Sequence, residues 1–417
     1  MTPAYFVGQG NPVYASIFQI LLETLTIPLY FYAIDKLFGR KNAIVSTIIY
    51  AISYGMISQS RWLSNVTPVI AFSNILLFLY VRQLQQKFKL IYVFLTSLVI
   101  GVISQHNAAI GIFLFPFAFW FYRKKLNIVS IMTLTAGFLL PAVPLIIFQF
   151  RHNFIIFQAI ANFAASKGVG VGFSLGVFWN NLKILSNQIN LGLIAPVKFL
   201  GPVFFTIGLI RLWGNKNKFF LYLYFLIPFF FLSLFQRGAI GFFFDAVLTL
   251  SISVCVYGIF YFPKFISYIL LFSIVLINIL NLNLVYKPTN ALVPIGDANV
   301  ITIQDRKNVI DWVYQKASGK EFSIWYYIIP FYHEEPWNYL FLTYALPKYR
   351  YSPEATHGFS PGDLKTSVYF FDIYEPEYDL SRMSKQKTWL DSVEKNFGQV
   401  IDSYRSHDVI VEMRKVK

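Results

Sequence analysis

The chain has 417 residues, of which 56% are hydrophobic and only 13% are charged, and its mean hydropathy is +0.54. A soluble domain carries about 25% charged residues, so this composition excludes an ordinary water-soluble protein. The net charge of +15 arises in residues 1–285, where 19 Lys and Arg face 3 acids, whereas residues 286–417 hold 16 against 17. The positive charge therefore belongs to short loops between apolar segments, and we predict no nucleic-acid partner.

Apolar segments follow one another through the first two thirds of the chain. They fall at about 13–35, 43–59, 66–82, 89–104, 107–122, 127–149, 195–213, 218–235, 240–261 and 265–285. An apolar helix of this kind can cross a bilayer core of about 30 Å, because all of its backbone groups are hydrogen-bonded internally. The sequence therefore predicts an all-α membrane domain in residues 1–285 with about ten transmembrane helices.

The distribution of basic residues among the loops predicts the orientation. If the chain starts outside, the cytoplasmic loops carry thirteen Lys and Arg, from Lys36 to Lys264, and the other loops carry six. Basic residues are retained on the cytoplasmic side during insertion. We therefore expect a multi-pass protein of the cell membrane with both termini and a long loop at 150–194 on the extracytoplasmic face.

Residues 286–417 alternate helix and strand patterns. The segment TIQDRKNVIDWVYQKASGK has helical spacing, FSIWYYIIP follows as a β-rich run, and SVYFFDIY and DVIVEMRK are further strand patterns. Between them KQKTWLDSVEKNFG is an amphipathic helix that ends at Gly398. We predict a small extracytoplasmic α/β domain over 286–417.

Basic side chains in the outer loops are the first candidates for a binding site, because the topology disfavours them there. Arg61 and Arg237 lie in two such loops, and His106, Arg151 and His152 are expected at the same membrane face. Guanidinium groups bind phosphate oxygens in bidentate geometry, so a lipid phosphate is a suitable ligand. The alternative is an arginine that reaches to ordinary lipid headgroups.

Asp245 and Glu23 are acidic residues in the interior of the apolar segments. Asp245 is placed about five residues inside its segment, where an ionisable group marks a candidate site. Arg237 is its expected partner, and a structural ion pair and a catalytic carboxylate stay open as alternatives. Glu23 is deeper, where a hydrogen-bonded or protonated structural role is favoured.

Two short motifs carry weaker signals. KGVGVGFSLG is glycine-rich but follows no strand, so it indicates a linker or gating loop rather than a nucleotide site. HEEPW does not have the HExxH spacing of zinc enzymes, and Pro336 restricts a helix there. We expect no metal site and no cofactor, with a divalent metal left open as an alternative.

Several segments resemble bacterial GT-C glycosyltransferases related to protein O-mannosyltransferases. They are IDKLFGRKNAIVSTIIYAIS, SRWLSNVTP, SQHNAAIGIFLFP and FQFRHNF, in this order along residues 10–260. Such enzymes take a sugar from a polyprenyl-phosphate carrier on the outer face and pass it to a lipid, glycan or protein. The resemblance implies that Arg61 and Asn65 line the outer pocket, that His106 faces it, and that Arg151 and His152 lie near the phosphate.

The family's catalytic acid has no counterpart in the expected place. The resemblance puts it in a first outer loop after one helix, but no acid precedes Glu23 here. Three explanations stay open: an N-terminally truncated gene product, a separate polypeptide that supplies the base, or a protein that is no longer a catalyst. Asp245 is a candidate for deprotonating the acceptor, although its helix is not where the family places that function. We therefore expect an inverting membrane glycosyltransferase. The alternatives are a non-catalytic, carrier-binding subunit or scaffold from a truncated gene product and, third, a transporter, which the scarcity of intramembrane acids disfavours.

Overall fold

The computed structural model describes residues 7–8, 12–61, 64, 66–156, 158, 173–195, 197–234, 241–286, 301–328, 335–355, 369–377 and 383–415. The chain divides into two units, Met1–Val285 and Tyr286–Lys417. The first unit is helical and apolar, and the second combines helices with a β-sheet.

Helices account for nearly all of the described part of the first unit. They are α1 (Pro12–Phe38), α2 (Arg40–Ile52), α3 (Tyr54–Arg61), α4 (Pro68–Gln85), α5 (Leu90–His106), α6 (Ala108–Tyr122), α7 (Ile128–Leu139), α8 (Val143–Arg151), α9 (Leu175–Ile194), α10 (Leu200–Arg211), α11 (Lys218–Ser233), α12 (Asp245–Ile259) and α13 (Lys264–Tyr286). The predicted all-α architecture is confirmed for this part of the chain.

Four stretches of the described residues are long and apolar enough to cross a membrane: Val13–Phe38, Ile128–Arg151, Gly241–Ile259 and Lys264–Leu282. The pair of α2 and α3, bent by 56° at Ser53, is a fifth if it counts as one span. Three further apolar helices are shorter, namely Leu90–His106, Leu200–Gly214 and Lys218–Ser233. A span count of ten therefore stays a prediction.

The loop predicted at 150–194 is wrong for its second half, because α9 occupies Leu175–Ile194. This helix carries asparagine and glutamine side chains that lower its hydropathy. Asn181, Gln188 and Asn190 are nevertheless buried, and Asn181 donates a hydrogen bond to the carbonyl of Leu232 at 3.2 Å. Because these amides lower its mean hydropathy, the apolar pattern alone does not identify α9. The amides can be buried because groups of other helices form hydrogen bonds with them.

The bend between α2 and α3 is hydrogen-bonded by neighbouring helices. The backbone N–H of Tyr54 donates to Oδ1 of Asn278 in α13 at 3.2 Å, and Nδ2 of Asn278 donates to the carbonyl of Leu193 at 2.8 Å. Gly55 packs directly on the backbone of Leu191, where a Cβ atom would overlap the carbonyl oxygen. Irregular backbone inside this bundle of apolar helices is tolerated because protein groups replace the lost helical bonds.

The second unit is an α/β sandwich, as predicted. Its strands β1 (Phe322–Tyr327), β2 (Glu354–Ala355), β3 (Tyr369–Tyr374), β4 (Val400–Ser406) and β5 (Val409–Lys415) form one sheet in the order β2-β1-β3-β5-β4. Strand β1 pairs in parallel with β2 and β3, whereas β5 is antiparallel to β3 and β4. Its helices are α14 (Ile303–Ala317), α15 (Glu335–Leu340), α16 (Leu346–Tyr349) and α17 (Met383–Phe397).

Alternate residues of β1 enter two different cores of this sheet. Phe322, Ile324 and Tyr326 pack in the cluster that includes α14, while Trp325 and Tyr327 pack with the buried side chains of α17. The period of two in a strand sends neighbouring side chains to opposite faces. The sheet is therefore covered by helices on both faces, and all six residues of β1 are buried.

Candidate functional site

Polar side chains follow one face of several apolar helices in the first unit. In α1 they are Gln19, Glu23, Thr26 and Tyr30, in α2 they are Asn42, Ser46 and Tyr50, and in α12 they are Asp245, Thr249 and Ser253. Each series recurs every three or four residues, which places its members on one side of a helix, and all ten are buried. We call this set the polar seam.

Asp245 is the first residue of α12 and one of the two acids of the polar seam, the other being Glu23. The residue is 1% exposed, and Oδ1 accepts a hydrogen bond from Nε2 of Gln59 at 2.8 Å. Oδ2 is buried and has no hydrogen-bond partner among the described residues. Arg237, the partner expected from the sequence, lies outside the described residues, so Gln59 is the only hydrogen-bond partner seen here in the described part of the chain.

The short helix α3 is held between α1 and α12. Gln59 binds Asp245, and Nε2 of Gln19 in α1 donates to the carbonyl of Ser60 at 3.1 Å. Arg61 is the last residue of this helix, two positions after the residue that binds the predicted carboxylate. Asn65, the second residue implied for the same pocket, lies outside the described residues.

His106, another predicted binding residue, is the last residue of α5. Its ring stacks on Phe72 of α4, with 5.8 Å between the ring centroids. The next residue, Asn107, donates a hydrogen bond from Nδ2 to the carbonyl of Phe242 at 3.4 Å, three residues before Asp245. The hydrogen bond of Asn107 joins the end of α5 to the turn that leads into α12, and the role of His106 in a shared site stays a prediction.

Arg151 is the last residue of α8 and His152 follows it, and both are exposed. The ring of His152 lies 4.2 Å from that of Phe148. Gly101 packs against Phe138, and Gly137 against Ser97, so α7 runs in the same direction as α5 and leads toward the end that carries His106. No hydrogen bond or ring contact among the described residues connects Arg151 or His152 to Asp245.

The second acid of the seam, Glu23, is part of a buried hydrogen-bond network. The hydroxyl of Tyr50 donates to Oε1 of Glu23 at 3.2 Å, and Nδ2 of Asn74 donates to the Tyr50 hydroxyl at 3.1 Å. Tyr30, 5.1 Å from Tyr50 between ring centroids, shares a hydrogen bond of 2.5 Å with Ser253. The structural role favoured for Glu23 from the sequence is consistent with these bonds.

Gln19, Gln59 and Asn107 were not predicted from the sequence, although their hydrogen bonds connect the helices around Asp245. An amide side chain in a mainly apolar stretch of sequence is a usable signal, because burying it costs free energy unless it is hydrogen-bonded. Among the described residues no group of three or more His, Cys, Asp or Glu side chains could hold a metal ion. His333 and Glu334 of the HEEPW motif and most of the glycine-rich segment lie outside the described residues. The expectation that Pro336 restricts a helix there is wrong, because α15 begins at Glu335 and a proline is tolerated in the first turn of a helix.

Comparison with solved structures identifies the fold. The sequence matches no protein-family model and no curated protein. The structure is similar to two crystal structures of ArnT from Cupriavidus metallidurans, one bound to undecaprenyl phosphate and one in the apo state. In both, the TM-score is 0.56, the identity is 11%, and the match covers 98% of this chain and 85% of ArnT. This chain therefore has the GT-C fold of ArnT, in agreement with the resemblance of its sequence segments.

Proposed function

We propose that the protein is a membrane glycosyltransferase that moves a sugar from a polyprenyl-phosphate carrier to an extracytoplasmic lipid, glycan or protein. The observation that carries this proposal is the GT-C fold, which extends over 98% of the chain and is shared with ArnT, a protein solved with undecaprenyl phosphate. The seam acid Asp245 and the end of α3 that bears Arg61 lie together, which supports a site in this part of the unit.

The proposed reaction displaces the carrier phosphate from the sugar. An acceptor hydroxyl forms a bond to the anomeric carbon from one side, and the bond to the phosphate oxygen breaks on the other. Arg61, Arg151 and Arg237 stabilise the departing phosphate, because charge-assisted hydrogen bonds to an oxyanion strengthen as its charge develops. Asp245 accepts the acceptor proton in this scheme, and Asn65, His106 and His152 contribute to binding.

One observation favours a second candidate, a non-catalytic subunit that binds the carrier. Asp245 is only 1% exposed and already accepts a hydrogen bond from Gln59. This is also the environment of a structural carboxyl group, since buried carboxyls are retained when they are hydrogen-bonded. Binding without transfer is what this candidate predicts.

Purified protein in nanodiscs separates the two candidates. Undecaprenyl phosphate is titrated while binding is measured by native mass spectrometry. Undecaprenyl-phosphate hexoses and pentoses are then supplied with membrane extracts, and release of undecaprenyl phosphate is followed. A transferase binds the carrier and releases it from one of these donors, and Asp245→Asn retains binding but loses at least 100-fold in rate. Binding with no release would support the subunit, and no binding at all would contradict both.

A further inference from the structure

Five basic residues lie together at the opposite end of the first unit from Asp245. This cationic patch comprises Lys36 at the end of α1, Arg40 and Lys41 at the start of α2, Arg82 near the end of α4 and Arg211 at the end of α10. Arg211 donates from Nη1 to the carbonyl of Tyr257 in α12 at 2.6 Å. Tyr257 is twelve residues after Asp245 in one helix, so the two ends are separated by about 18 Å.

Aromatic rings hold the cations of this patch in place. Nζ of Lys41 lies 4.4 Å from the ring centroid of Phe260, the residue that follows α12, and 4.6 Å from that of Tyr268 in α13. Cζ of Arg40 lies 4.7 Å from the centroid of Phe31 in α1. Such contacts orient a cation but do not neutralise it.

The patch has little compensating negative charge among the described residues. Asp35 forms an ion pair of 3.3 Å with Lys36. Arg40 and Lys41 have no carboxylate partner in the described part of the chain, and they are exposed. They also occupy the first turn of α2, where the positive end of the helix dipole opposes them. Two adjacent cations in this position are therefore electrostatically unfavourable unless an external anion is present.

The surroundings of the patch match the boundary between lipid headgroups and acyl chains. Tyr261 lies between α12 and α13, and Phe265 and Tyr268 lie in the first turns of α13. They are 70%, 76% and 54% exposed, respectively. Aromatic side chains concentrate at this boundary because their rings are apolar while the hydroxyl of tyrosine remains hydrated. Cations beside such rings lie at the depth of lipid phosphates.

We propose that Arg40 and Lys41 form a binding site for the phosphodiester headgroup of an anionic membrane phospholipid. The site is separate from the proposed carrier site, which lies at the other end of α12, and it does not depend on transferase activity. Charge complementarity favours an anionic over a zwitterionic lipid, because a zwitterionic headgroup brings its own cation.

The test measures phosphatidylglycerol binding to the full-length protein in detergent by native mass spectrometry. Each cation near an anionic membrane surface contributes about 5-fold in affinity, so the double variant Arg40→Gln/Lys41→Gln is expected to lose about 30-fold. The charge-preserving variant Arg40→Lys/Lys41→Arg is expected to stay within a few-fold of wild type. Lys124→Gln/Lys125→Gln is the matched control, because these are two adjacent exposed lysines in another basic loop.

Each other outcome contradicts the proposal. Equal losses in the two glutamine variants would show general attraction to basic loops, and unchanged binding would show no site at Arg40 and Lys41. Displacement of phosphatidylglycerol by millimolar inorganic phosphate would assign the patch to free phosphate. If the double glutamine variant does not fold, wild-type protein decides the question, because equal affinity for phosphatidylglycerol and phosphatidylcholine would overturn the proposal.

Discussion

Nδ1 of His407 lies 2.6 Å from Oδ1 of Asp305, although 102 positions separate the two residues. Asp305 is nearly buried in the first turn of α14, whereas 75% of the His407 side chain is exposed at the tip of the β4–β5 hairpin. His407 has a φ of 50°, a left-handed conformation that is unusual for histidine. The pair ties the hairpin to the helix and makes this contact sensitive to pH.

The sign of that sensitivity follows from the two pKa shifts. The hydrogen bond to Asp305 raises the pKa of His407 above 6.5. Burial raises the pKa of Asp305, but hydrogen bonds from Thr302, His407 and Ser406 outweigh it and lower the value from 3.8 to about 2. The histidine contribution to stability is complete below pH 6.5 and is lost as pH rises through the raised pKa. The aspartate contribution is complete above pH 3.8 and is lost as pH falls toward 2.

We therefore predict that the hairpin is most stable between these limits. Hydrogen-exchange protection factors of peptides covering β4 and β5 should decrease from pH 6 to 8 in the full-length protein. His407→Asn, which tolerates the left-handed backbone but does not titrate, should remove this decrease. The same pH dependence in the variant would contradict a role for the pair.

Arg151 provides a test of the phosphate pocket. If it binds the carrier phosphate, Arg151→Ala removes charge-assisted hydrogen bonds worth roughly 1.5–3 kcal/mol, or about 10- to 150-fold in affinity for undecaprenyl phosphate. Arg151→Lys should retain only part of the wild-type affinity, because lysine keeps the charge but lacks the planar guanidinium group that binds phosphate through two N–H donors. Alanine variants of Arg61 and Arg237 test the same pocket, and unchanged affinity in all three would leave headgroup contacts as the role of these arginines.

The orientation is predicted by the loop charges, with thirteen basic residues on one side and six on the other. A reporter that is active only in the cytoplasm should be inactive when fused after Lys417. The same reporter fused after Lys125 is the control and should be active. Activity at Lys417 would overturn the predicted topology together with the outer-face roles of the arginines.

The second unit should fold without the first. It has its own core on each face of the sheet, and Arg414 forms a buried ion pair with Asp372 at 2.8 Å. Residues 295–417 expressed alone should give a mixed helix and strand circular dichroism spectrum and a cooperative thermal transition. A spectrum of a disordered chain would show that this unit requires the membrane part.

Helix packing in the first unit depends on two facing glycines. A Cβ atom on Gly258 of α12 would overlap the carbonyl oxygen of Phe204 in α10 and approach Gly208 of the same helix. Gly258→Ala should therefore destabilise the protein by about 1–3 kcal/mol, which a thermal shift in detergent would detect. Gly214→Ala is the control, because nothing lies within 4 Å of its added Cβ atom. A melting temperature of Gly258→Ala equal to that of the wild-type protein would contradict this packing.

Much of the architecture follows from the sequence alone, because hydropathy and strand periodicity are local properties. The apolar helices between residues 12 and 151 and between residues 200 and 286, the strands at Phe322, Tyr369 and Val409 and the helix that ends before Gly398 were predictable for this reason. The helix at Leu175–Ile194 was not, since its buried amides are stabilised by residues distant in the chain.

Pairing across the chain was decided only by the tertiary structure. The sequence indicated Asp245 and suggested Arg237 as its partner, but nothing local connects Asp245 with Gln59, 186 positions away. The joining of Asn107 to Phe242, and of Asp305 to His407, likewise depends on which helices and strands become neighbours. A single sequence specifies which groups need partners, because burial makes an unpaired polar group costly. Packing of the whole chain determines which partners they obtain.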